Sequence, residues 1–380
     1  MRNTPERLYE IDGLRLLAAL CVVLYHYVFS GWAGGKTTVT FVAESGWAKY
    51  GYLGVDLFFL ISGFVVLMSA WGRTPRQFVV SRLVRLYPAY WVGIALTAVV
   101  TLTLGQGMFS VSLPQVLANL TMFQSVPDIA NVDVVYWTLW AEMRFYLLML
   151  IVVWIGITRG RILTLMWGWL ALTILVEAGL LPGLADLIVQ SEFSHYFIAG
   201  MALFLLYRFG LDWQIALLVP ICLGNAVYRA IGYAEAVGTR YGVTYSPVVV
   251  TVLVVLITLV MTFVALRVTW RLSWPGLVTA GSLTYPLYLV HAHIGFILFA
   301  RLEGVADKYV LLAGMIVVML TLAYVVHRFV ERPLAPRLKK LLSKRQPPAH
   351  AAAQPGGRTG EVPSRQAGGQ AGRPAGGHAG

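Results

Sequence analysis

Apolar stretches long enough to cross a bilayer recur along this chain, and the first of them carries two ionisable side chains. A helix needs about 20 predominantly apolar residues to cross hydrocarbon. Ten such stretches are read at 12–30, 52–71, 84–104, 137–157, 162–181, 193–209, 212–232, 247–268, 275–300 and 309–330. In the first, Arg15 and His26 stand eleven residues apart, roughly 16 Å of helical rise. At about 100° per residue their side chains fall within about 20° of one line. A charge and an imidazole therefore share one face at two depths. Ionisable groups there are costly, and they usually line a polar cavity or a reaction path. Charged residues make up 12% of the chain, against about 25% in soluble domains. The sequence predicts an all-α polytopic membrane protein with about ten transmembrane helices. The stretch at 212–232 is the least regular, because Asn225 and Arg229 interrupt it. Arg2 and Arg7 before the apolar core imitate a secretory signal. A cleaved signal core would not contain Arg15 and His26, so the first span is expected to stay.

Basic residues set the orientation. With the N-terminus in the cytoplasm, Arg73, Arg76, Arg82, Arg159, Arg161, Arg208, Arg267 and Arg271 fall on inner connections. The segment from Arg332 through Lys339, Lys340, Lys344 and Arg345 joins them, so both termini are expected to be cytoplasmic. The connection from Gly105 to Tyr136 contains no Lys or Arg and is expected outside, with Asp128 and Asp133. The location expected is the plasma membrane. A formal charge of +12 would suggest nucleic acid in a soluble chain, but inner loops and tail account for it, and no nucleic-acid partner is expected. Cys21 and Cys222 give neither metal spacing nor a disulfide framework. Two regions follow: a membrane domain at 1–340, and a Gly/Ala/Pro/Arg-rich cytoplasmic tail at 346–380 with little to bury, read as disordered.

Several motifs then appear in order. Tyr9-Glu-Ile-Asp-Gly-Leu-Arg15 is followed by Tyr25-His26-Tyr27 in the first span. The second contains Gly54-Val-Asp56-Leu-Phe-Phe-Leu-Ile-Ser-Gly-Phe64, and an arginine pair follows in Ser81-Arg82-Leu-Val-Arg85. Trp137-Thr-Leu-Trp-Ala-Glu142-Met-Arg-Phe-Tyr146, Phe197-Ile-Ala-Gly-Met201 and Ser282-Leu-Thr-Tyr285-Pro-Leu-Tyr-Leu-Val-His291 complete the set. Together they resemble acyltransferase family 3 over residues 9 to 335. Met143 and Arg144 depart from its usual Trp-Ser-Leu-x-x-Glu-x-x-Phe-Tyr pattern. Members of that family are integral membrane proteins that move acyl groups from coenzyme A thioesters onto sugar hydroxyls.

Acyl transfer from a thioester to an alcohol needs a base, an anchor for the donor's phosphates and help for a developing oxyanion. His26 is the candidate base, because imidazole titrates near neutral pH, the alternative being a structural histidine satisfied between helices. Asp56 and Glu142, both entering from the outer side, are the candidates to orient it, Glu142 alternatively orienting the acceptor hydroxyl. Their alternatives are a carboxylate favoured by a helix N-terminus for Asp56, and a pair with Arg144 or another arginine for Glu142. Arg82 and Arg85, three apart on one helix face, suit the phosphates of coenzyme A. That role rests mainly on the resemblance, the alternative being positive-inside anchoring. Arg15 would neutralise a phosphate or guide the pantetheine arm, or else pair locally with Asp12. Tyr285 and His291 are candidates for an acceptor site, with packing between helices as the alternative for His291. Tyr87, Tyr90 and Trp91 read as interfacial aromatics.

These residues describe a two-ended O-acyltransferase. Its partners would be acyl-CoA, a carbohydrate-containing acceptor and the lipid bilayer. Acetyl-CoA or another acyl-CoA would act as cosubstrate, and no bound cofactor or metal is expected. Direct transfer and a histidine-bound acyl intermediate both remain compatible. No extracytoplasmic hydrolase-like domain is expected, which favours a small or lipid-linked acceptor. The rival reading is an exporter or flippase of glycans or lipid-linked sugars, whose ionisable line conducts substrate.

Overall fold

The computed structural model describes residues 8–269 and 274–343. Arg2, Arg7, Arg271, Lys344, Arg345 and the 346–380 tail lie outside them. Among the described residues the regular elements are helical and none is a strand. Helix α1 (Tyr9–Leu24) runs into a π-helical turn, Tyr25–Ser30, and is followed by α2 (Gly54–Ala70), α3 (Pro75–Leu104) and α4 (Trp137–Ile155). Next come α5 (Arg159–Glu177), α6 (Ser194–Phe209), α7 (Trp213–Tyr241) and α8 (Pro247–Ala265). The series ends with α9 (Gly276–Val290), α10 (Ala292–Leu302), α11 (Lys308–Val326) and α12 (Arg332–Ser343).

Eight helical stretches among the described residues are long and apolar enough to cross a membrane, and α9 with α10, bent by 69° to each other, pass the same test only when taken together. The chain is a multi-pass membrane protein. The sixth expected span forms α6, a 16-residue helix in which Ser194 through Leu206 are all buried; it packs on α2, α5, α7 and α8. The irregular seventh stretch is an unbroken helix of 29 residues that continues to Tyr241. Its polar interruptions both meet Glu177 of α5. Asn225 donates to Glu177 Oε2 at 2.7 Å, and Arg229 Nε lies 3.6 Å from Glu177 Oε1.

Local chemistry fixes where helices begin. At the start of α3, Thr74 Oγ1 accepts from the Gln77 N–H while Gln77 Oε1 accepts from the Thr74 N–H, with Pro75 in the first turn. That reciprocal cap contributes on the order of 1 kcal/mol. The connection from 105 to 136 folds back against the helix that precedes it. Tyr87 Oη donates to the Thr121 carbonyl and Trp91 Nε1 to that of Leu120. Tyr87 lies 17 residues before the end of α3, so the connection returns along that helix by roughly 26 Å of rise. Tyr90 is not interfacial either: it is fully buried, with its ring 5.1 Å from that of Tyr136.

Helix α2 packs on α1, α4 and α6. Contact with α6 is backbone to backbone, because a methyl on Gly63 would run into the Phe197 carbonyl and one on Gly200 into that of Leu60. Small residues allow helices such close approach where the solvent is lipid. Gly63→Val is therefore expected to lower the thermal midpoint and the folded yield in detergent, since overpacking costs about 1–3 kcal/mol even where neighbours can yield. Gly224→Val, which faces open space on α7, should leave both unchanged.

Candidate active site

Two cavities follow one another along α2. The larger, about 810 Å³, is lined by His26, Tyr52, Asp56, Trp137, Tyr196 and Glu192, with much of its remaining wall from the second half of α7. The smaller, about 90 Å³, is lined by Arg15, Ser62, Arg82, Arg85, Glu142 and Tyr146. Val55 and Tyr288 line both. Arg15 and His26 thus face different cavities across a shared neck. Tyr288 is fixed there by a 2.9 Å hydrogen bond between its hydroxyl and Thr138 Oγ1.

His26 is 9% exposed and sits on the π-helical turn that ends α1. Such turns break the i−4 ladder and are frequent at functional sites. Its Nδ1 lies 2.9 Å from the Val22 carbonyl oxygen and 3.1 Å from His291 Nε2. A carbonyl can only accept, so Nδ1 carries the hydrogen in the neutral ring, and Nε2 keeps its lone pair. The same logic holds for His291, at the bend between α9 and α10. Its Nδ1 is 2.8 Å from the Tyr288 carbonyl oxygen, which leaves its Nε2 as the acceptor facing His26. The two rings form a proton-ordered pair, and the inner member is fully buried.

The arginine cavity is organised by different contacts. Arg82 donates to Ser69 Oγ at 3.1 Å, and its guanidinium lies over the Tyr146 ring at 5.5 Å. Arg85 is exposed at the wall of the same cavity. Ser62 Oγ donates to Glu142 Oε1 at 2.6 Å. Asp12 and Glu142 are the carboxylates whose charge acts on Arg15.

Four sequence expectations move. Among the described residues no hydrogen bond joins Asp56 or Glu142 to His26. Asp56 Oδ2 accepts instead from the Tyr196 hydroxyl at 2.8 Å, on the wall of the histidine cavity. Glu142 sits level with Ser62, six residues past Asp56 on α2, which is about 9 Å deeper. It therefore belongs with the arginines, while Arg144 turns away to the Leu187 carbonyl. Tyr285 lines the arginine cavity and donates to the Leu86 carbonyl at 3.2 Å. His291 lines neither cavity and stands behind His26. The His26 nitrogen at which an orienting carboxylate would bond, Nδ1, is taken by the Val22 carbonyl and faces His291 Nε2.

Sequence reasoning missed the Val22 carbonyl, Ser62 and Tyr196. Ser62 was legible as a polar residue inside the second span, whereas nothing in the local sequence marks Tyr196. Glu192, between α5 and α6, also faces the histidine cavity. Burial raises its carboxyl above the usual carboxylate range, and Arg229 opposes that shift.

Comparison with known proteins agrees with these motifs. The family model described as an acyltransferase domain matches residues 8–328. The peptidoglycan O-acetyltransferase OatA of Listeria monocytogenes is 33% identical over 105 residues, covering 26% of this chain and 14% of the relative. The putative membrane-bound transacylase BcsY of Komagataeibacter xylinus is 38% identical over 96 residues, covering 24% of this chain and 20% of the relative. The putative peptidoglycan O-acetyltransferase YrhL of Bacillus subtilis is 35% identical over 96 residues, covering 23% and 13%. These alignments span a fifth or less of the relatives' own lengths. No solved structure matches. With the family model spanning most of the membrane-embedded helices, the chain belongs to acyltransferase family 3.

Proposed function

We propose that this protein is a membrane O-acyltransferase that moves an acyl group, acetyl in the simplest case, from acyl-CoA to a hydroxyl of a carbohydrate acceptor. One observation carries the reading: a cavity lined by three arginines and a cavity lined by a proton-ordered histidine meet at Val55 and Tyr288. An acyl donor has the matching asymmetry, with phosphates at one end and a thioester at the other.

Arg82 and Arg85 take the donor phosphates from the cytoplasmic side, where charge-assisted bonds from a guanidinium fork are strongest. Arg15 lies further in, with Glu142 as the counter-charge that keeps the guanidiniums compensated while the site is empty. The pantetheine arm passes between Val55 and Tyr288, and the thioester emerges beside His26. There Nε2 removes the hydroxyl proton of the acceptor as its oxygen attacks the thioester carbon. The C–S bond breaks, and the imidazolium returns the proton to the departing thiolate, giving the ester and the free thiol of coenzyme A. The Val22 carbonyl and His291 Nε2 both accept from Nδ1–H, and both bonds strengthen as the ring becomes positive. The size of the histidine cavity favours direct transfer, since acceptor and thioester fit beside His26 together. Peptidoglycan, on which the relatives OatA and YrhL act by name, supports a glycan as the acceptor.

His26→Ala is expected to lower kcat for acyl transfer by roughly 10²–10⁴, the range lost with a general base, while donor affinity stays within about twofold. Mass spectrometry of glycans, lipids and secreted metabolites from a deletion strain restored with either form reads this for any acceptor. Full restoration by His26→Ala would remove the base. Disappearance of a whole glycan with no change in acylation would favour export instead. Arg82→Ala and Arg85→Ala should each weaken acetyl-CoA binding by about 10- to 100-fold, the scale of a hydrogen bond to a charged group. Unchanged donor binding would remove the arginine assignment. Val55→Phe is expected to leave acetyl-CoA bound but halt thiol release, because it closes the neck; normal turnover in that variant would place the donor's path elsewhere.

A further inference from the structure

The bend between α9 and α10, which carries His291, is held by side chains from elsewhere in the chain. Helix α9 ends at Val290, and the backbone turns by 69° before α10 begins at Ala292. A break of this kind frees peptide groups that lipid cannot satisfy. Tyr136 Oη donates to the Leu289 carbonyl at 3.2 Å, and Tyr27 Oη to the His291 carbonyl at 2.8 Å. Asp133 Oδ2 accepts from the His293 N–H at 3.0 Å. Tyr27 and Asp133 are buried and line neither cavity, so they meet no substrate directly. Both nevertheless bear on the histidine pair.

Tyr27 follows His26 on the same π-helical turn. Its hydroxyl reaches the main chain of His291, while the His26 ring meets the side chain of that same residue at 3.1 Å. Turn and bend are thus joined twice at one residue. The His291 carbonyl does not depend on Tyr27 for a partner, because it already accepts from the Gly295 N–H at 3.1 Å. What the second bond sets is the spacing between turn and bend. Gly295 leaves room for it, since a methyl there would run into the Tyr27 ring. Asp133 grips the bend from the other side. Its Oδ1 accepts from the Val135 N–H at 3.2 Å, in the turn before α4, and its Oδ2 holds the first turn of α10. The Val134 N–H donates in return to His293 Nε2 at 3.3 Å. A carboxylate at that end of α10 is also favoured by the helix dipole. His293 lies two residues past His291, so a slip at this grip carries the His291 ring with it. The contact between the rings tolerates little slip, since about half an ångström more would take it out of bonding range.

We propose that Tyr27 and Asp133 are positioning residues for His26 that act through His291. Together they hold the α9–α10 bend where His291 Nε2 accepts from the His26 ring as that ring gains its proton. The proposal rests on the acyltransferase reading for the proton transfer it serves, but the brace itself is testable without turnover.

The test uses the full chain in membranes of a deletion strain, which supply the acceptor. One readout is release of coenzyme A thiol from acetyl-CoA, above the rate of membranes without the protein. The other is the rate at which diethylpyrocarbonate modifies His26 in the empty protein, followed by mass spectrometry. That reagent takes the lone pair of a neutral imidazole, here Nε2, and likewise builds positive charge on the ring. Tyr27→Phe keeps the ring beside Gly295 and removes only the hydroxyl. It should lower kcat about 3- to 10-fold, the worth of one ordinary hydrogen bond, with KM for acetyl-CoA within about twofold. Asp133→Ala should lose at least as much, and Asp133→Asn, which keeps one acceptor oxygen, should recover part of it. Tyr87→Phe is the control: it removes a 2.9 Å hydroxyl bond to the Thr121 carbonyl, away from the bend, and should leave kcat unchanged. The deciding variant is His291→Asn, which keeps an amide near the Tyr288 carbonyl but has no atom in place of Nε2. Adding Tyr27→Phe to it should cost less than about twofold more, because nothing is left to position.

A purely structural loss would instead multiply, and a double variant about 3- to 10-fold below His291→Asn would overturn the proposal. Unchanged kcat in Tyr27→Phe or in Asp133→Ala would do the same. If even the wild type releases no thiol while the His26 modification rates follow the expected pattern, the brace stands and the acyltransferase reading falls. Thiol release by wild type with multiplying losses does the reverse.

Discussion

The structure hangs on the close approach of α2 to its neighbours. Gly63 and Gly200 let the backbones of α2 and α6 touch, and Gly54 does the same against the Ala18 carbonyl of α1. In lipid there is little hydrophobic force to bring apolar helices together, so packing at short range must supply the attraction. Those contacts fix α2 at the centre of the site. Val55 then stands at the neck, Asp56 on the wall of one cavity and Ser62 on the wall of the other. About two turns of a single helix thus reach both cavities. A displacement of α2 would disturb both cavities at once.

Irregular backbone supplies what regular helices cannot. His26 lies on a π-helical turn and His291 at a 69° bend between two helices. At such places the ladder is locally broken, and a carbonyl becomes available to a side chain. The Val22 and Tyr288 carbonyls accept from the two rings and fix both tautomers by geometry. Inside a membrane this matters more than in water, because an unfixed imidazole would find few alternative partners. Holding the ring with a carbonyl and a second neutral histidine also avoids burying a carboxylate beside it. In the proposed reaction the site would rest without charge separation and develop a positive ring as the hydroxyl proton arrives.

Much of the fold was legible because apolar periodicity reports membrane-length helices directly. The weak stretch around Asn225 and Arg229 became regular only once Glu177, 48 residues before Asn225, supplied their partner. The site was legible as a set of residue types and much less as an arrangement. Arg15, Arg82 and Arg85 do line one cavity, and His26 lines another. Assigning Glu142 to His26 followed from the end at which its helix enters, but two turns of helix are enough to move a side chain from one cavity to the next. Tyr285 and His291 share a motif with Tyr288, yet the three point to different places. Neighbouring positions on a helix diverge by about 100° per residue, and only tertiary packing decides which of them meets a cavity. The polar connection from 105 to 136 carries no signal that it folds back along α3, since Tyr87 and Trp91 read equally well as interfacial aromatics.

The separation of the two cavities has its own physical logic. For the donor proposed above, phosphate groups need cations and tolerate water, whereas a thioester carbon beside a base must be shielded from it. One open pocket could not meet both demands. A neck bounded by Val55 and Tyr288 lets a thin chain through and leaves little room for anything broader. Tyr288 is well suited to that position, because Thr138 holds its hydroxyl and its ring packs edge-on against Phe58 at 5.7 Å. The same residue offers its backbone carbonyl to His291. One side chain thus shapes the passage while its own main chain sets the proton order of the histidine pair. A substitution that shifts the Tyr288 backbone would alter the neck and the histidine pair together, so under the proposed reaction the donor's route and the proton's route would not vary independently.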